Sequence, residues 1–144
     1  MNMVSDVEEG AALDGGIARF LGAEGGEGPV RLSDIRSKAA NELKRYGDDL
    51  MGHLDGLGVT VPPAIQLAST EGGLVAVLGD HPAKNTIETF VNNDTRLLKW
   101  FKEVEVLHEI MRRAELSGRS EEFARQHFNL GLTSIGSIAF FAEG

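Results

Sequence analysis

The chain has 144 residues, with 22 acidic and 14 basic side chains, four histidines, no cysteine and a formal charge of −8. A chain of this length can bury roughly two thirds of its unfolded surface in one core without disulfides, and the missing cysteine excludes thiolate metal sites and cysteine nucleophiles. The negative charge argues against nucleic acid and against an anionic membrane surface as partners.

Residues 1–30 stand apart. They hold Asp6, Glu8, Glu9, Asp14, Glu24 and Glu27 against Arg19 alone, and seven of the 18 glycines. Such a composition predicts a flexible acidic, Gly-rich arm ahead of a single globular domain over 31–144. One apolar run, Ile17-Ala18-Arg19-Phe20-Leu21, interrupts the arm and is suited to dock on the body or on a partner. The first residues are acidic where a secretory leader is basic and then apolar. Leu74 to Leu78 is a clean apolar run as long as any in the chain, far short of the roughly 20 residues of a membrane span. The expectation is a soluble cytoplasmic protein, and leaderless secretion is equally compatible with the absence of cysteine.

The first predicted helix opens at Ser33 as N-cap, with Asp34 in its first turn. Ile35, Ala39, Leu43, Tyr46, Leu50, Leu54 and Leu57 follow at steps of three or four as one apolar stripe, and Gly56 and Gly58 stop it. Val59 to Pro63 reads as extended. Ile65–Thr70 and Leu74–Leu78 flank Glu71-Gly72-Gly73 and predict a β-hairpin. The first strand alternates, so one of its faces is expected to be wet. The second is apolar on both sides, so it is expected to lie deeper. His81-Pro82 opens a helix that buries Ile87, Phe90 and Val91.

One of Asn92, Asn93 and Asp94 caps the longest helix, from about Thr95 to Leu116. Leu97, Phe101, Val104, Leu107, Met111 and Ala114 form its stripe, while Leu98, Trp100, Val106 and Ile110 fall outside it. A helix this apolar around its girth must be covered on more than one side. Lys99 with Glu103 and Glu109 with Arg113 are placed as i,i+4 pairs. Ser120 is set to cap a short helix with Phe123, Ala124, His127 and Phe128 on its apolar face. Leu130–Phe141 is open between helix and strand; strand is favoured over 137–141, because a lone hairpin needs a neighbour. The fold class is therefore α+β and mostly helical: helix, β-hairpin, helices and a C-terminal strand.

The chemistry is sparse. No P-loop, dinucleotide fingerprint or nucleophile elbow is present. Glu105-Val106-Leu107-His108 places a carboxylate and an imidazole on one helix face, a spacing that di-metal bundles use in two copies. This chain has one copy, so a metal site on Glu105 and His108 requires a symmetric dimer with Glu42 or Glu88 as a further ligand. Asp80 and His81 are a second loose pair, more easily read as a cap than as orienter and base. Adjacent acids such as Asp48-Asp49 diverge by about 100° on a helix and suit a solvated face. The leading expectation is a non-enzymatic interaction or assembly module without cofactor. It would self-associate or bind a protein through helix 95–116, with Trp100, Phe101, Ile110, Met111 and Arg112 as contact candidates, since Trp, Phe, Met and Arg are enriched at interfaces.

Overall fold

The computed structural model describes residues 31–143. The arm expected over 1–30, with its Ile17–Leu21 run, lies outside the described residues. The elements in chain order are α1 (Leu32–Gly56), β1 (Ile65–Ser69), β2 (Val75–Leu78), α2 (Lys84–Asn92), α3 (Thr95–Glu115), α4 (Ser120–Ala124), β3 (Gln126–Thr133) and β4 (Gly136–Glu143). The strands form one antiparallel sheet in the order β2-β1-β3-β4. The α+β class is as the sequence indicates.

The core lies on one face of this sheet. Val77, Leu67, Leu130 and Ala139 form one row across all four strands, and Phe128 faces Phe141 in a neighbouring row. Tyr46, Leu50 and Leu54 from α1 and Leu97, Phe101 and Val104 from α3 pack against that face. A second cluster joins Leu32, Ile35 and Ala39 of α1 to Leu107, with Ile110, Met111 and Ala114 packed beside it. The coverage demanded by the girth of α3 comes from two directions, the sheet and α1.

Helix boundaries follow backbone satisfaction. α1 begins one residue before Ser33: Arg31 is its N-cap, and no side chain caps it. Ser33 therefore sits inside the first turn and is not the cap. The helix ends at Gly56, and Gly58 takes φ +80°, a conformation that costs glycine nothing. Leu57, the last residue of the expected stripe, is 49% exposed, because the helix has ended before it. The Asp94 side chain accepts from Leu97 N at 3.0 Å and caps α3 as expected. His81 is buried ahead of α2. Its Nδ1 accepts from Ala83 N at 2.9 Å and its Nε2 donates to Thr60 O at 2.9 Å, which makes it a structural clamp.

Four expectations change. β2 is an edge strand and not a deeper one, and its second apolar side faces away from the helices. Phe128 and His127 belong to β3; the helix from Ser120 stops at Ala124, with Arg119 as its N-cap. β3 supplies the neighbour that the first hairpin needs, while the C-terminal strand pairs with β3 in a second hairpin. The ion pairs on α3 are Lys102 with Glu105 and Arg112 with Glu115, at spacing i,i+3, and Arg113 instead lies over the Phe123 ring.

At Gly47 α1 comes close against the sheet: a Cβ there would stand 2.8 Å from Ser137 Cβ. Gly52, one and a half turns on, has open space around it. The two glycines predict opposite responses. Gly47→Ala forces α1 off β4 and should cost about 1–3 kcal/mol, whereas Gly52→Ala should gain about 0.5–1 kcal/mol from helix propensity. Urea unfolding of both variants checks this.

Candidate functional site

Trp100 is a clasp between the two long helices. Its Nε1 donates to Glu42 Oε1 at 2.9 Å, and its ring stands edge-on to Tyr46 at 5.2 Å. The guanidinium carbons of Arg45 and Arg96 lie 5.6 and 5.4 Å from the ring centre, and Arg96 reaches Asp49 at 2.7 Å. Phe101 is 1% exposed and lies in the core. Ile110 and Met111 are half-buried against the second cluster. Arg112 donates from Nε to Gln126 Oε1 at 2.8 Å and from a terminal nitrogen to Glu115 at 3.0 Å, with its guanidinium over Phe141. The five contact candidates thus do not form one free patch. Phe101 is enclosed, and Trp100 and Arg112 are held by intramolecular partners.

Glu105 and His108 lie on one buried side of α3. Glu105 Oε1 accepts from Ser69 Oγ at 2.8 Å and from Lys102 Nζ at 3.2 Å, which pins α3 to the end of β1. His108 Nδ1 donates to Val104 O at 2.8 Å, and its ring lies 5.2 Å from that of Phe128. In the neutral ring this leaves Nε2 as an acceptor. Burial holds the His108 pKa below its ordinary 6.5, and the bond to Val104 opposes that shift. Burial, and then the neighbouring Glu105, raise the Glu109 carboxyl above its ordinary range. Glu42 and Glu88, the additional ligands considered for a metal, are bonded elsewhere: Glu42 to Trp100 and Arg45, Glu88 to the backbone of Val77. Among the described residues no group of three His, Asp or Glu side chains is arranged to hold a metal ion.

The other face of the sheet has a different character. Leu78, Gln66, Gly131 and Ile138 form one continuous row across the four strands. Ala76 faces Ala68, Asn129 faces Phe140 and His127 faces Ala142 beside that row. Leu78 is 42% exposed, Ile138 49% and Phe140 37%. A Cβ on Gly131 would stand 2.9 Å from Ile138 Cγ1 and 3.8 Å from the Phe140 ring, so both side chains lean over this glycine. Asn129 is the polar centre: it accepts from Gln66 Nε2 at 3.0 Å and donates to His127 O at 3.1 Å. An exposed antiparallel face normally alternates to polar side chains. This one carries no Asp, Glu, Lys or Arg at any of the positions named.

Between the C-terminal half of α3 and β4 lies a cleft of about 310 Å³, lined by His108, Met111, Arg112, Glu115 and Ala139–Phe141. A shallower hollow surrounds Leu57 and Phe90 beside α2. Among the described residues no helix is long and apolar enough to cross a membrane. Comparison of the chain with family models, with curated proteins and with solved structures gives no match.

The depressed His108 pKa has a definite consequence. The unfolded chain takes up a proton near 6.5 while the folded chain resists it, so this contribution is complete above 6.5 and is lost as pH falls toward the folded value. Glu109 runs oppositely, favouring the fold at low pH and losing that contribution as pH rises from its ordinary 4.5 through the folded value. Urea unfolding just below pH 6.5 should show stability falling with acid, at up to about 1.4 kcal/mol per pH unit. His108→Gln should remove that slope.

Proposed function

We propose that the chain is a non-enzymatic assembly module in which two copies meet through the sheet face opposite the helices. The observation behind this reading is the uncharged row Leu78–Gln66–Gly131–Ile138 with Phe140 beside it, on a chain of net charge −8. Two copies with the same negative charge approach most easily through surface that does not carry it. Packing of two such faces would bury Leu78, Ile138 and Phe140 in a sandwich about 10 Å thick. The sequence reading set the contact on the long helix. The enclosure of Phe101 and the intramolecular bonds of Trp100 and Arg112, set against the exposure of Leu78, Ile138 and Phe140, support moving the contact to the sheet face.

Absolute mass by light scattering across a concentration series tests this. The wild-type chain should reach the mass of a dimer, and Phe140→Glu should weaken the association at least tenfold, about 1.4 kcal/mol. A wild-type chain that stays monomeric throughout, or a dimer unaffected by Phe140→Glu, overturns the reading. A partner other than a second copy would give the first of these results.

A further inference from the structure

Among the described residues, His108 bonds through one of its two ring nitrogens. Nδ1 donates to Val104 O at 2.8 Å, so the lone pair of the neutral ring is on Nε2. Nε2 belongs to the end of the ring farthest from the helix backbone, and the ring lies beside that of Phe128 at 5.2 Å. The residue is 9% exposed and forms part of the wall of the 310 Å³ cleft between α3 and β4. Burial holds its pKa below the ordinary 6.5, so at neutral pH the ring is uncharged and Nε2 is an acceptor. A buried acceptor in a cleft wall is completed by a donor from what fills the cleft, water or a ligand.

The rest of the wall narrows what that ligand is. Arg112 and Glu115 both line the cleft, but they pair with each other at 3.0 Å, and Arg112 also donates to Gln126. Their charges offset, so the cleft selects neither an anion nor a cation, and the net charge of −8 opposes an anion further. Met111 and Phe141 are half-buried and apolar, and Phe141 is held edge-on to Phe128 at 5.9 Å. A thioether and a phenyl ring are favourable neighbours for an aromatic ring. Ligand pockets span roughly 300–1,000 Å³, so this one suits a ligand of one or two fused rings. The other hollows lack the combination. The one at Leu57 and Phe90 is lined by exposed Asn85, Thr86 and Thr89, and the one at Ser69 and Lys102 holds about 170 Å³. We propose that the α3–β4 cleft binds a small neutral aromatic molecule with one hydrogen-bond donor, a phenol or an indole, its donor on His108 Nε2 and its ring against Met111 and Phe141. The site is made by a single chain, so it stands whether or not two copies associate.

NMR titration of the full-length chain with 2-naphthol and with 2-methoxynaphthalene tests this, at about pH 7.5, above the ordinary histidine pKa. The two probes share a ring system, and only the first carries a donor. 2-Naphthol should shift the Met111 methyl and the Phe141 ring saturably and bind at least tenfold tighter than its methyl ether. His108→Phe keeps an aromatic ring beside Phe128 but removes the acceptor, and should bind the two probes equally. In the wild type, the His108 Nε2 nitrogen resonance should move toward the protonated range with 2-naphthol and stay in place with the ether. No saturable shift at Met111 and Phe141, equal affinity for the two probes, or a preference that survives in His108→Phe overturns the proposal. If His108→Phe does not fold, the Nε2 resonance of the wild type decides: movement with 2-naphthol alone supports the site, and any other result overturns it.

Discussion

Both long helices lie on one face of the sheet, and that one-sided burial governs the rest of the molecule. α1 can reach β4 because residue 47 is glycine; any side chain there would meet Ser137. The approach aligns Tyr46, Leu50 and Leu54 with Leu67, Leu130 and Phe128 across the same layer. α3 packs against both α1 and the sheet's inner rows, and its apolar girth is consumed by both. A two-layer arrangement satisfies the core of a small α+β chain. It also leaves the second sheet face without a helix among the described residues.

Polar side chains hold the layers at fixed points. Trp100 and Glu42 join α3 to α1, and Ser69 and Glu105 join α3 to β1. Asn92 and Glu88 seat α2 on β2, and Arg112 reaches Gln126 at the start of β3. Each of these is a charged or amide group half or wholly removed from water and given a partner, as burial requires. The residues that looked most like chemistry in the sequence, Glu105, His108 and His81, are occupied in this way. Their bonds go to a serine, to a lysine and to backbone atoms.

The long helices were legible because seven or six apolar residues at helical spacing leave no other reading, and Asp94 was legible as a cap by type and place. The first hairpin was marked by Gly72-Gly73 between two β-prone runs. β3 was hidden because Phe123, Ala124, His127 and Phe128 imitate one helical turn and Gly131 weakens any regular element, although Phe128, Leu130 and Leu132 alternate with Asn129, Gly131 and Thr133 as the two faces of a strand do. Gly131 is tolerated there because Ile138 and Phe140 fill the space over it from the next strand, a contact no local pattern reveals. The apolar outer side of β2 was visible in Leu74–Leu78 but read as depth; the strand order shows it at an edge. The sheet face was thus written in the sequence, and its meaning depended on pairing between residues more than 50 positions apart, as Gln66 is from Gly131.

The proposed dimer stands or falls on the surface that two copies would share. Isotope-filtered NMR on a mixture of labelled and unlabelled chains, at a concentration where the dimer forms, reads this directly. Contacts between copies from the methyl groups of Leu78 and Ile138 to the Phe140 ring are the predicted result. Intermolecular contacts confined to Ile110 and Met111 of α3, with none to Leu78, Ile138 or Phe140, would contradict it.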